Sequence, residues 1–148
     1  MSRKINNVLR WLEDSAGKYP DKTVFADENV SVTYSDFIRA AKETALNILG
    51  SVPPRSPVAV LGTKSVEVLT AFFGCAYAGC FYVPLNPAHP AERREKILST
   101  LGRPVVLFAS DAANCLPLDS YPAQCMPIYG KAADNDFSRL DRIRSEHI

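Results

Sequence analysis

The sequence predicts an α/β protein with three layers, in which a mostly parallel sheet of βαβ units carries helices on both faces. Three apolar runs of strand length, 57–62, 80–85 and 104–109, alternate with two stretches of helical pattern, 65–78 and 90–101. Strands that alternate with helices at this spacing form right-handed βαβ units and a parallel sheet. Such strands are covered on both faces, which explains why each run is almost continuously apolar.

The N-terminal region predicts a helix followed by a hairpin. Residues 5–17 have helical periodicity and end at Gly17, a common helix stop. The residues predicted to share its buried face are Val8, Leu9, Leu12 and Ala16. Two runs rich in β-branched and aromatic residues, "TVFAD" and "VSVTY", surround Glu28 and Asn29 and predict two short paired strands.

Two helices have recognisable N-terminal caps. Thr33 precedes a helical pattern that runs to Gly50, and Asp36 three residues later approximates a capping box. The apolar stripe of this helix consists of Phe37, Ile38, Ala41, Ala45, Ile48 and Leu49. Ser65 caps the 65–78 helix, and Glu67 lies in its first turn, where the helix dipole favours an anion.

Prolines and glycines mark the remaining boundaries. Gly79 ends the 65–78 helix, and Pro90 suits the first position of the next helix, which ends at Gly102. Residues 110–124 predict a loop. The run "CMPIYG", 125–130, predicts a fourth strand, which Pro127 confines to an edge or a strand end. We therefore assign 1–130 to the α/β domain and 131–148 to a polar, weakly patterned tail.

Composition excludes several classes of protein. The 17 basic and 16 acidic residues give a net charge of +1, and no basic run typical of a nucleic-acid-binding protein occurs. Residues 68–85 carry no charge, but Gly74, Gly79 and Pro84 interrupt them, which favours a buried helix and strand over a membrane span. The N-terminal residues lack the apolar core of a signal peptide, and we expect a cytoplasmic protein.

The cysteines and histidines do not form a recognisable site. Cys75, Cys80, Cys115 and Cys125 have neither zinc-site nor CxxC spacing, and we expect buried free thiols in a reducing compartment. His89 lies between prolines in a turn without a carboxylate or serine at motif spacing, so a catalytic role is not expected. His147 is one residue from the end of the sequence and carries no signal.

Two glycine-containing turns are candidate phosphate sites. Gly74 to Gly79 fit the first six positions of a Walker A motif, but Cys80 and Phe81 replace its lysine and hydroxyl residue. Gly79 is better explained as a helix C-cap and Gly74 as a point of close helix packing. The turn 62–65 connects a strand to a helix, so its N–H groups and Lys64 could attract a small anion.

Two segments carry a resemblance to a known family. "VTYSDF" at 32–37 resembles L-T-Y-x-E-L, the first core motif of the adenylate-forming superfamily. "CAYAGCFYVPLNPAHPAERREKIL" at 75–98 is similar to its second core motif, L-K-A-G-x-A-Y-V-P-L-D-P-x-x-P-x-E-R. Asn86 replaces the usual Asp, and Tyr77 the usual Lys, both at scaffold positions. The cysteine-rich part resembles the amino-acid-activating members, including nonribosomal peptide adenylation domains and D-alanine-activating ligases.

The resemblance implies that the chain is an N-terminal subdomain portion of a larger ATP-dependent ligase. Members of the superfamily adenylate a carboxylic acid, here an amino acid, release pyrophosphate and transfer the acyl group to a thiol, usually of phosphopantetheine. ATP and Mg²⁺ are then the parent's cofactors, and its partners are the rest of the enzyme and a carrier protein. The family's phosphate loop, T-S-G-S-T-G-x-P-K-G, does not occur in the 148 residues. We therefore expect no catalytic, cofactor-binding or metal-binding residues here and no activity from the chain alone, with Tyr82 and His89 belonging to the scaffold.

Two other interpretations remain at this point. The chain could be a non-catalytic α/β interaction module that self-associates through exposed apolar faces or docks a carrier protein. It could also be a flavodoxin-like domain that binds a small anion at the 62–65 turn.

Overall fold

The computed structural model describes residues 7–115, 125–130 and 136–147. Its elements in chain order are α1 (Val8–Lys18), β1 (Thr23–Ala26), β2 (Ser31–Thr33), α2 (Tyr34–Leu49), β3 (Pro57–Leu61), α3 (Val66–Tyr77), β4 (Phe81–Leu85), α4 (Ala91–Thr100), β5 (Val105–Phe108), a 3₁₀ helix (Ser110–Cys115), β6 (Cys125–Pro127) and α5 (Ser138–His147). Part of the predicted 110–124 loop, residues 116–124, lies outside the described residues, as do 131–135 of the predicted tail.

The main sheet has the strand order β4-β3-β5-β6, and each neighbouring pair is parallel. The strands β1 and β2 form a separate antiparallel hairpin. The predicted α/β fold class, with a mostly parallel sheet, is confirmed.

Alternate residues of the strands face two different cores. Val58 and Val60 of β3 lie in the larger core with residues of α1, α2, α3 and α5. Ala59 and Leu61 lie in a smaller core with Leu98 of α4 and with the 3₁₀ helix. Helices thus cover both faces of the sheet, as predicted, but the two layers differ greatly in size.

The helices α2 and α3 approach each other closely at Gly74. A Cβ atom added to this glycine would lie 2.8 Å from Cγ2 of Thr44 and 3.2 Å from the carbonyl oxygen of Ala41. Thr44 is itself buried, and its hydroxyl lies 3.0 Å from the Ala40 carbonyl and 3.3 Å from that of Ile128. The predicted role of Gly74 in close helix packing is confirmed.

Local capping predictions are confirmed at four positions. The Thr33 hydroxyl accepts the backbone N–H of Asp36 at 3.2 Å, and Ser65 accepts that of Val68 at 3.2 Å. Gly79 and Gly102 adopt φ values of 68° and 74°, which are strained for residues with a Cβ atom. Short-range sequence signals therefore determine where these helices begin and end.

The predicted burial is wrong for β4 and for Val8. The sequence predicts β4 to be a buried strand, but it lies at the sheet edge, and Phe81 and Tyr82 are 53% and 45% exposed. Val8 is predicted on the buried face of the first helix, but it is 53% exposed. The prediction that Pro127 restricts its strand to an edge is confirmed, because β6 forms the other edge of the sheet.

The helix α5 is not predicted by the sequence pattern. Its Leu140 and Ile143 are buried in the larger core, and Phe137, just before the helix, packs against the same cluster. The ammonium group of Lys42 lies 5.5 Å from the ring centre of Tyr77 and 5.8 Å from that of Phe137, a cation–π arrangement that links α2, α3 and the start of α5.

The apolar 68–85 segment forms most of α3 and all of β4. None of the helices in the described ranges combines the length and apolar character that a membrane crossing requires.

Replacing Gly74 with alanine should destabilise the fold by about 1–3 kcal/mol, because the added methyl group overpacks the contact between α2 and α3. Gly17→Ala is the matched control, since no atom lies within 4 Å of its added Cβ. That change should stabilise α1 by about 0.5–1 kcal/mol. Urea unfolding followed by circular dichroism measures both, and equal effects of the two substitutions would contradict the close packing at Gly74.

Candidate functional site

A cavity of about 650 Å³ opens at the carboxyl edge of the sheet, beyond the ends of β3, β5 and β6. The chain runs from β3 to β4 on one side and then places β5 on the other side of β3. Open α/β sheets bind ligands at such a switch in strand order. The lining residues are Phe25, Ala26, Asp27, Glu28, Asn29, Val30, Thr63, Lys64, Ser65, Val66, Glu67, Leu69, Ser110, Asp111 and Tyr129.

Asp27 connects the hairpin to the N-terminus of α3. One of its carboxylate oxygens accepts the backbone N–H groups of Asn29 at 2.8 Å and Val30 at 2.9 Å, which shapes the hairpin turn. The other oxygen accepts the N–H of Val66 at 2.8 Å. These hydrogen bonds, with the Val66 contact as the largest cause, hold the pKa of Asp27 below its ordinary value.

Two further carboxylates connect the segments that follow β3 and β5. Both oxygens of Glu67 accept the backbone N–H of Ser110, at 3.2 and 3.1 Å, and the Ser110 hydroxyl donates to Glu67 at 3.0 Å. Asp111 accepts a hydrogen bond from the Thr63 hydroxyl. Hydrogen bonds to carboxylates thus join the chain segments that surround the cavity.

This arrangement disfavours the small-anion site considered for the 62–65 turn. The N–H of Val66, at the N-terminus of α3, already donates to Asp27. Among the described residues that line the cavity, Lys64 is the only basic residue against four acidic ones, Asp27, Glu28, Glu67 and Asp111. A free anion would therefore meet a net negative potential and a helix terminus that is partly satisfied.

The pKa of Tyr129 also reflects the negative charge at the cavity. Its hydroxyl lies 3.4 Å from that of Thr70, and its ring is half exposed at the cavity wall. Partial burial raises the pKa of Tyr129, and the negative charges of Glu67 and Asp27 raise it further. The cavity disfavours additional negative charge.

The other candidate residues from the sequence lie away from this cavity. His89 is half-buried in the turn before α4, and its Nδ1 has no hydrogen-bond partner among the described residues. His147 is the last residue of α5. All four cysteines are free, but only Cys75 is fully buried, whereas the sequence predicts burial of the group. No group of three metal-ligating side chains occurs within the described ranges.

The proline-rich turn that precedes α4 is organised by Asn86 and Arg94. The Asn86 side-chain oxygen accepts the N–H of Ala88 at 2.9 Å, a bond that an aspartate would also make. The Arg94 guanidinium donates to the carbonyl of Pro87 at 2.9 Å, to that of His89, and to that of Cys115 at 2.9 Å. These contacts are structural and hold the turn against the 3₁₀ helix.

Local sequence patterns predict part of the cavity but not all of it. Ser65, Glu67 and the 62–65 turn were identified from local patterns, whereas Asp27 and Asp111 were not. Asp27 stands before a turn, where aspartate commonly accepts backbone N–H groups, so its role within the hairpin was detectable. Its contact with Val66 joins segments that are distant in sequence, and no local pattern reveals it.

Fold and cavity together define an open parallel α/β domain with polar side chains gathered at the carboxyl edge of its sheet. The sequence profile of the AMP-binding enzymes, described as "AMP-binding enzyme", matches residues 12–142. The chain therefore belongs to the AMP-binding enzyme family, and the resemblance to the adenylate-forming superfamily is confirmed.

Individual relatives agree with this assignment. The chain is similar to gramicidin S synthase 2 of Brevibacillus brevis, at 32% identity over 76% of the chain and 2% of the relative. It is also similar to D-alanine–D-alanyl carrier protein ligase of Bacillus anthracis, at 30% identity over 75% of the chain and 22% of the relative.

A solved structure shows the same fold. The fatty acyl-adenylate ligase of Legionella pneumophila, in complex with acyl adenylate and pyrophosphate, aligns with a TM-score of 0.75 and 20% identity over 93% of this chain and 25% of its own. The chain thus spans only a small part of the proteins that it matches.

Replacing Asp27 with asparagine should lower the thermal unfolding midpoint near neutral pH. The amide oxygen can still accept within the hairpin, but the amide nitrogen cannot accept the Val66 N–H. Because the folded-state pKa of Asp27 is lowered, its contribution is present above the unfolded-state value, about 3.9, and is lost as the pH falls through the folded-state value. Calorimetry from pH 7 to pH 2, with Glu28→Gln as control, should show the difference from wild type shrinking below about pH 4. A difference that is independent of pH would contradict the ionised contact.

Proposed function

We propose that this chain is the N-terminal scaffold portion of a ligase that uses ATP and Mg²⁺ to adenylate an amino acid. The parent enzyme would release pyrophosphate and transfer the acyl group to a phosphopantetheine thiol on a carrier protein. The observation that carries the proposal is the family match over 12–142, together with relatives that include a carrier protein ligase.

The proposed contribution of this chain is structural. Its two core motifs form packing elements: the first begins α2, and the second forms the end of α3, β4 and most of α4. Tyr77 and Asn86, which depart from the family pattern, make structural contacts, since the Tyr77 hydroxyl donates to Glu13 at 2.9 Å and Asn86 accepts within its turn. The acidic cavity does not resemble a site for ATP phosphates, which require positive charge or Mg²⁺. We propose that the residues contacting ATP and the carboxylate lie outside these 148 residues.

The purified chain should therefore show no amino-acid-dependent exchange of radiolabelled pyrophosphate into ATP. A complete D-alanine–D-alanyl carrier protein ligase serves as the positive control in the same assay. Nucleotide turnover by the chain alone would refute its role as an inactive scaffold.

The nucleotide sequence that follows the Ile148 codon tests the parent enzyme separately. An open reading frame that encodes T-S-G-S-T-G-x-P-K-G is expected. A stop codon at that position would contradict the ligase and leave the interaction module as the better description.

A second proposed function, self-association, is favoured by the open edge of β4. Phe81 and Tyr82 are exposed at this edge, and Tyr82 stacks on Phe72 of α3 with ring centres 4.1 Å apart. The strand itself, Phe81–Leu85, contains no charged residue of the kind that protects sheet edges, although Pro84 limits backbone pairing. The remainder of a parent enzyme or a second copy of the chain could cover the same surface.

Light scattering should show a dimer or higher oligomer of the isolated chain, and Phe81→Ser should shift it towards monomer by removing apolar surface. Trp11→Ser is the matched control, because Trp11 is 60% exposed and lies on a different element, α1. A monomeric wild-type chain at high concentration, or equal effects of both substitutions, would contradict association through β4.

A further inference from the structure

The cavity at the carboxyl edge combines apolar walls with an acidic rim. Its walls include the side chains of Phe25, Val30, Leu69 and Tyr129. Its volume of about 650 Å³ lies in the range of pockets that accept small ligands, and so leaves room for a long side chain. The cavity therefore differs from a surface cluster of acidic residues, because it offers a bounded space and apolar contact as well as charge.

Hydrogen bonds hold three of the carboxylates at this rim in fixed positions. Asp27 and Glu67 accept backbone N–H groups, and Asp111 accepts the Thr63 hydroxyl, so these carboxylates do not need to reorganise when a charge approaches. A carboxylate has about four acceptor positions, and each of these groups retains some of them for another donor. Glu28 extends the negative rim from the exposed hairpin turn.

We propose that this cavity docks the side chain of a lysine or arginine from a partner polypeptide. Such a side chain has an aliphatic stem that can pack on apolar walls and a cationic group that remains near polar solvent. The charge balance of the lining, four acidic residues against Lys64, complements this occupant and opposes an acidic one. The proposal does not depend on the ligase assignment, since docking requires neither ATP nor a complete active site.

Other occupants fit the cavity less well. An inorganic anion would face the negative rim, and the Val66 N–H that could bind it is taken by Asp27. A metal ion would need three or more ligating side chains in one place, and the described part of the chain contains no such group. A wholly apolar ligand would desolvate carboxylates without replacing their interactions with water.

The test uses the 148-residue chain and a dansyl-labelled trilysine peptide, followed by fluorescence anisotropy at low salt. A double variant, Glu28→Gln with Asp111→Asn, removes two rim charges, and the amide oxygen of Asn can still accept from Thr63. Glu92→Gln on the exposed start of α4 is the matched control for loss of negative charge elsewhere. We expect the rim variant to bind about threefold or more weakly than wild type, the control to bind equally, and added salt to weaken binding.

Three results would overturn the proposal. The first is no binding of trilysine above that of a labelled triglutamate peptide. The second is an equal loss in the rim variant and in Glu92→Gln, which would indicate non-specific attraction. The third is binding of trilysine that added salt does not weaken, which would indicate that the contact does not depend on charge. Matching circular dichroism spectra of the variants and wild type would establish that a loss of affinity does not reflect unfolding.

Discussion

The close approach of α2 and α3 at Gly74 is the constraint on which much of this structure depends. It allows α3 to lie between α2 and the sheet, and so explains why α3 is apolar on most of its surface. Thr44, which fills the space that a larger residue at 74 would need, also contacts the Ile128 carbonyl just after β6. Asn47, one helical turn later, donates to the Gly130 carbonyl at 3.2 Å. One helix therefore positions both its neighbour and the end of the last strand.

The core motifs of the family acquire a physical explanation in this chain. The two positions that depart from the usual pattern have structural roles. Asn86 accepts a hydrogen bond within its turn, and the Tyr77 hydroxyl links α3 to Glu13 of α1. Arg94 is the residue after the last position of the motif, and its guanidinium donates hydrogen bonds to three carbonyl groups. Tyr77, Asn86 and Arg94 thus serve a turn or an interface of the fold.

The sequence was most informative where the determinants are local. Helix caps such as Thr33 and Ser65 depend on residues three positions apart, and both were predictable. The edge position of β4 was not predictable from the sequence. A central strand and an edge strand that packs against another surface can both have the same continuous apolar sequence. The helix α5 was missed because its few apolar residues lie among charges and are buried only through tertiary packing. The contact of Asp27 with α3 was missed for the same reason, since it links separate segments.

The hairpin of β1 and β2 is attached to the domain by interactions of two different physical kinds. Phe25 packs edge-on against Phe37, with ring centres 4.9 Å apart, whereas Asp27 makes a charged hydrogen bond to the backbone of α3. Protonation of Asp27 at low pH weakens its hydrogen bond to α3 but does not affect the contact between Phe25 and Phe37. The hairpin tip can therefore separate from α3 while Phe25 stays packed. Because proteins open locally as well as globally, the Val66 amide is the position where hydrogen exchange would report this opening without unfolding of the sheet.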